Sequence, residues 1–159
     1  MTMQTVNVAW FGCRPAQAFQ LASRVDRWPG LLSHYRWVRF HQGDPADGVV
    51  EMAARREFGR LQVPVWWVSR MTADRDALTV RYTHVDGVTR GMEVLWTIAP
   101  SYHGSRVEIR HDWTGSPRIC GPAGSLVARR VVGPVFIHHV ADQTLHHLAR
   151  AAVIKEGTA

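Results

Sequence analysis

Four side chains able to exchange protons or bind oxygen recur among apolar strand neighbours. Arg56 follows Val50, Met52 and Ala54; Ser69 follows Val65 and Trp67; His84 follows Val80 and Tyr82; His111 follows Val107 and Ile109. Residues two apart on a strand share a face, so each of the four points to the side that its apolar neighbours must bury. A polar group there has to be paired or solvated. Each is therefore either satisfied by a neighbour in a dry core or part of a wet pocket that orients an amphipathic ligand. His84 and His111 carry the side chain whose pKa lies nearest neutrality, which suits a general base. Arg56 would bind an enolate or carbonyl oxygen, and burial near Arg56 would lower the His84 pKa and keep the ring neutral.

Other chemistries find little footing. His138, His139, His146 and His147 crowd the last stretch, but His138 and His146 lie two helical turns apart, with Asp142 between them. Two ligands on adjacent turns would need closer spacing, and there is no HExxH, so no metal is expected. GxGxxG, P-loop and GxSxG motifs are absent, and no cofactor is expected. Cys13 and Cys120 form no CxxC pair, and with no export signal both are expected to be reduced.

The elements that must position these residues follow from periodicity. Thr5–Trp10 alternates as a short strand, and Pro15 opens a helical stretch from Ala16 to Val25. Trp28-Pro29-Gly30 breaks that helix, and Leu31–Tyr35 fits a second short one. From Arg36 to Thr114 the pattern is strand-like, broken at Gly43-Asp44-Pro45, Gly59, Asp74-Arg75-Asp76, Asp86-Gly87 and His103-Gly104. Six strands joined by short turns make an antiparallel meander. The period then turns helical to about Ile154, with His138, Ala141, Leu145, Leu148 and Ala152 on one stripe and the helix proper starting near Pro134. The sum is an α+β chain, a curved seven-stranded antiparallel sheet around a long C-terminal helix with two short helices. An internal cavity is expected where the helices cover the concave face. Met92 and Trp96 share the inner face of one strand and Trp113 that of the next. Any one indole fits a core role, yet several on one concave face suit a planar or polyketonic ligand.

At 159 residues, 46% hydrophobic and 20% charged, residues 1–159 fit one domain, and disorder is excluded. No stretch approaches the ~20 apolar residues of a spanning helix. Together with the polar N-terminus, this predicts a cytoplasmic protein with no membrane insertion. The net charge is +6, and all but Lys155 of the 19 basic residues are arginine, scattered singly or in pairs. Such scatter argues against a nucleic-acid surface.

Val25-Asp26-Arg27-Trp28-Pro29-Gly30-Leu31-Leu32-Ser33-His34-Tyr35, Trp67-Val68-Ser69 and Gly91-Met92-Glu93-Val94-Leu95-Trp96 resemble the polyketide cyclase/dehydrase (aromatase/cyclase) branch of the START-like, SRPBCC helix-grip superfamily. The resemblance runs from about Thr5 to Ile154. It implies a pocket that folds a poly-β-ketone chain and promotes aldol closure and dehydration. Trp28, Tyr35, Trp67, Ser69, Met92 and Trp96 match pocket positions of that branch, with Tyr35 as proton donor or oxyanion partner. His84 matches a basic pocket position, and Trp113 and His138 join the substrate-binding set. Met71 stands where the branch carries a proposed catalytic arginine. The partner implied is a hydrophobic or polyketide small molecule, and the surplus arginine suits an acidic acyl carrier protein. A monomer or homodimer is consistent with the sequence. The same pocket would equally serve a non-catalytic carrier of a lipid, quinone or other hydrophobic ligand.

Overall fold

The computed structural model describes residues 3–58, 60–114 and 137–156; side chains at 56–58, 61, 63 and 154–156 are outside the description. Seven strands, β1 (Met3–Phe11), β2 (Tyr35–Gly43), β3 (Asp47–Phe58), β4 (Leu61–Asp74), β5 (Thr79–Gly87), β6 (Met92–Ser101) and β7 (Gly104–Trp113), form one antiparallel sheet. Its order is β1-β7-β6-β5-β4-β3-β2, so the meander β2–β7 is closed on its far side by β1. Asx turns make the reversals cheap. Asp44 Oδ1 accepts from Ala46 N–H at 2.7 Å, and Asp74 Oδ1 accepts from Asp76 and Ala77 N–H at 2.9 Å each.

Helix α1 (Pro15–Ser23) begins at a proline whose missing N–H costs nothing in a first turn. It ends two residues short of the expected Val25, and a 3₁₀ turn follows over Val25–Arg27. The second short helix differs from expectation. Trp28–Leu31 forms α2 rather than breaking the chain, and Leu31–Tyr35 leads into β2. Pro29 sits in the first turn of α2, where it is tolerated, and Trp28 is locked by donating its indole N–H to Leu21 O at 2.9 Å. Helix α3 (Ile137–Glu156) packs along β1 and touches α1, α2 and β7. Pro134, the expected start of this helix, lies outside the described residues, as does Cys120; Cys13 is buried.

The helices bury the apolar sheet face. Phe11, Leu32, Met71, Met92, Ile109, Leu145 and Leu148 are fully buried, each contributing about 1.5–3 kcal/mol of transfer free energy. Strand alternation holds, with Arg106, Glu108, Arg110 and Asp112 outside and Val107, Ile109, His111 and Trp113 inside. Register shifts in the β2–β3 and β4–β5 pairings bend the sheet around the helices. At the second of these, Gly87 (φ +92°) lies so close to β4 that a Cβ would sit 2.4 Å from Trp66 O. The result is the helix-grip fold: a curved seven-stranded antiparallel sheet, a long C-terminal helix and two short helices.

Candidate functional site

Between the sheet and α3 lies a cavity of about 90 Å³ open to the centres of water molecules. Its wall is a chain of ring contacts. Trp96 leans on Trp28 (centroids 5.6 Å apart), Trp28 meets Tyr35 edge-on (5.2 Å), Tyr35 meets Trp67 edge-on (6.2 Å), and Trp67 stacks on His84 (6.0 Å, 10° between planes). Such edge and offset contacts are favoured by the ring quadrupoles. Met52, Met92, Val94 and Ile109 fill between the rings, and α3 adds Ile137, Val140, Ala141 and Thr144.

Polar groups enter this apolar lining at few points. His84 is buried, and its Nδ1 is 2.5 Å from Thr89 Oγ1 in the β5–β6 loop. Burial, and then the nearby His111, push the His84 pKa down to about 3, so the ring is neutral at physiological pH. Neutrality was the expectation, and after burial its second cause is His111. His111 is buried, with Nδ1 3.3 Å from Thr5 Oγ1 on β1. Tyr82, two residues before His84 on the same face, is 4% exposed. Its hydroxyl has no hydrogen-bond partner among the described residues, and burial, then Tyr35, raise its pKa well above the usual phenol value. Thr144 is tied to His34 Nε2 at 3.2 Å, and the His34 ring lies 5.6 Å from that of His147. No charged side chain lines the cavity among the described residues.

The structure thus brings together Trp28, Tyr35, Trp67, His84, Met92, Trp96 and His111 of the residues singled out by sequence. Three others lie elsewhere. Ser69 is fully buried at the register shift between β4 and β5, off the cavity wall, with no partner for its Oγ among the described residues. Trp113 is buried but donates its indole N–H to Arg90 O at 3.0 Å, outside the cavity. His138 is exposed and engages Asn7, whose Nδ2 is 2.9 Å from the ring and 3.1 Å from His138 O. The apolar Ile137 takes the inward place instead, one position earlier on the helix. The Arg56 side chain lies outside the described residues. Tyr82, Thr89 and Thr144 are the polar cavity residues that sequence reasoning did not single out. Tyr82 carried a signal, an inward hydroxyl in alternation with His84, whereas Thr89 and Thr144 depend on tertiary placement.

A second depression, of about 360 Å³, lies between α1 and the end of α3, lined by Gln17, Gln20, Arg24, Arg27 and Ala152 among others. It is roomier, but it holds no aromatic wall, and Arg24 there is paired to Asp26 at 2.7 Å. The aromatic cavity is the better-built site. No group of three or more potential metal ligands occurs among the described residues. No helix of the described residues is long and apolar enough to cross a membrane.

Residues 12–136 match the family model described as polyketide cyclase / dehydrase and lipid transport. No curated protein sequence matches the chain. Among solved structures it is similar to TTHA0849 from Thermus thermophilus, with 15% identity, a TM-score of 0.76 and coverage of 98% of this chain and 99% of that one. It is also similar to the Zhui aromatase/cyclase from Streptomyces sp. R1128, with 14% identity, a TM-score of 0.73 and coverage of 96% and 94%. The di-domain ARO/CYC StfQ of the steffimycin biosynthetic pathway shares 16% identity at a TM-score of 0.75, over 99% of this chain and 53% of that one. Identities this low carry the fold and not the activity.

Proposed function

Since the chain belongs to the polyketide cyclase / dehydrase and lipid transport family, we propose that it binds a poly-β-ketone in the aromatic cavity and promotes its aldol cyclisation and dehydration. Residues 1–159 act as one ligand-binding domain in this reading. One observation carries it: an unbroken ring wall, Trp96–Trp28–Tyr35–Trp67–His84, lines an apolar cavity together with a second buried imidazole, His111. Planar rings can hold a folded polyketone so that attacking and attacked carbons adjoin, the term that proximity contributes most.

In the proposed reaction His111 takes a proton from a methylene flanked by two carbonyls. The carbanion attacks a ketone carbon, forming the C–C bond, and the new alkoxide takes a proton from Tyr35. The His111 imidazolium restores the Tyr35 proton. Loss of a second α-proton with the hydroxyl then releases water and leaves a conjugated ring. The base role moves from His84 to His111, because a pKa of about 3 leaves His84 a feeble proton acceptor. The sequence moves protons only and calls for no cofactor. An acyl carrier protein would deliver the chain, attracted by the exposed arginines.

The test is the product distribution of a poly-β-ketone generated in situ by a ketosynthase. Wild type should yield one ring pattern above the spontaneous mixture, and His111→Ala should lose about 10²–10⁴-fold in rate. A second reading, carriage of a lipid, quinone or polyketide without turnover, draws on the apolar side chains Met52, Met92, Val94 and Ile109 that line the cavity among the rings. If wild type binds the polyketone but leaves the spontaneous mixture unchanged, the carrier reading replaces the enzyme.

A further inference from the structure

Resting on the polyketide reading, we propose that the outer face of the sheet at edge strand β2 docks an acidic acyl carrier protein. Trp66 is the apolar anchor of this surface, and Arg36 and Arg39 are its charged contacts.

Strand register sets Trp37, Ala53 and Trp66 side by side on β2, β3 and β4. Ala53 points outward in alternation with Met52 and Ala54, yet it is only 1% exposed, so the two indoles close over it. Both indole N–H groups donate to Glu51 Oε1, from Trp37 at 3.1 Å and from Trp66 at 2.8 Å. His41 Nε2 lies 2.8 Å from Glu51 Oε2. The bond from Trp66 above all lowers the Glu51 pKa, so the carboxylate stays charged and both rings stay clamped. The clamp leaves Trp66 38% exposed in a fixed pose. A large ring already held in place loses little freedom on binding, and tryptophan is among the residues that anchor interfaces.

The Glu51 charge is satisfied within the patch, and the charges outside it are positive. The Arg36 and Arg39 guanidinium carbons lie 4.8 and 5.3 Å from the Trp37 ring centroid, and both residues are exposed. Arg70 is exposed as well, opposite Val49 on β3. On β7 the outer charges cancel instead: Glu108 pairs with Arg106 at 2.8 Å and lies 3.8 Å from Arg110. The β2 corner therefore complements an acidic protein surface. Single-stranded nucleic acid would use open ring faces, but Arg36 and Arg39 cover that of Trp37. Position suits delivery as well. Arg36 and Trp66 are chain neighbours of the cavity residues Tyr35 and Trp67, and β2 ends the sheet order. Docking surface and cavity wall are thus two sides of the same strands at an edge, about 10 Å apart and within reach of a flexible carrier arm.

The test is an NMR titration of the ¹⁵N-labelled protein with a holo acyl carrier protein of an aromatic polyketide synthase. At low salt the indole N–H signals of Trp37 and Trp66 should shift, and affinity should fall several-fold between about 0.05 and 0.3 M salt. Arg36→Glu/Arg39→Glu and Trp66→Ala should each lose at least about tenfold in affinity. Arg14→Glu/Arg27→Glu, the same change of charge at two other exposed arginines, should lose less than about threefold. Unchanged binding of 2-acetonaphthone, a ketone probe for the cavity, shows that each variant is folded. Equal losses in the two double variants would mean that net charge alone attracts the carrier, and would overturn the patch. An oligonucleotide that shifts Trp66 at lower concentration than the carrier protein does would overturn the choice of partner. If the carrier protein fails to bind while 2-acetonaphthone still shifts Trp28, Trp67 and Trp96, the docking surface falls and the cavity stands. If neither binds, the polyketide reading falls with it.

Discussion

A histidine held neutral by burial leaves a signature in stability as well as in chemistry. The folded-state pKa of His84 is about 3 against 6.5 for the free side chain, so the unfolded chain takes up the proton first as pH falls. Its contribution is therefore complete above about pH 6.5 and is lost progressively towards pH 3, at up to about 1.4 kcal/mol per pH unit. The ring is held by Thr89 and stacked on by Trp67, and His111 adds to the shift that burial starts. Between pH 7 and pH 5 the wild type should lose about 2 kcal/mol through His84 alone. Urea unfolding of His84→Gln should show that much less pH dependence; a slope equal to the wild-type one would mean that His84 protonates normally in the folded protein. At this scale much of the site was legible. Alternation alone set Trp67, His84, Met92, Trp96 and His111 on the inner face, because apolar neighbours two apart identify the buried side. Alternation does not say how far along that face the cavity extends, which is why Ser69 and Trp113 are buried yet off its wall.

The site depends on two elements staying where they are, helix α3 and the shifted register of β4 and β5. Leu148 is fully buried on the inner face of α3, and its truncation to alanine should cost about 2–5 kcal/mol and loosen the helix that roofs the cavity. Gly87 stands opposite Trp67 beside the β4–β5 register shift, with φ +92° and Trp66 O where a Cβ would have to sit. Gly87→Ala should destabilise by about 1–3 kcal/mol, read from the urea midpoint, through left-handed strain and the clash together. An unchanged midpoint would mean that the two strands can separate at no cost. The breaks at Gly43, Asp74, Gly87 and Gly104 were readable because glycine and aspartate stabilise turns by local means. The position of α2 was not. Pro29 and Gly30 look like breakers by propensity, but the indole bond from Trp28 to Leu21 O and the burial of Trp28 hold a single turn there. The helical stripe was likewise right in period but misplaced at its start, since His138 and Ile137 differ by one position and only packing against β1 chooses between them.

For the molecule as a whole, the tryptophans divide by role. Trp28, Trp67 and Trp96 line the cavity, while Trp113 is buried outside it. Trp10 is 65% exposed on the edge strand β1. Trp37 and Trp66 lie on the outer side of the sheet, where both indoles donate to Glu51 Oε1, at 3.1 and 2.8 Å, and Arg36 and Arg39 cover the Trp37 ring. Composition announced the abundance of indoles but not this partition, which needs the curvature of the sheet to separate inside from outside. On the proposed function, ligand enters the space between sheet and α3 and touches the aromatic wall. Indole N–H shifts of the seven tryptophans, followed by NMR while 2-acetonaphthone is added, test it directly. Trp28, Trp67 and Trp96 should shift strongly, with Trp10, Trp37 and Trp66 unmoved; saturable shifts confined to the outer indoles would contradict ligand entry into the cavity.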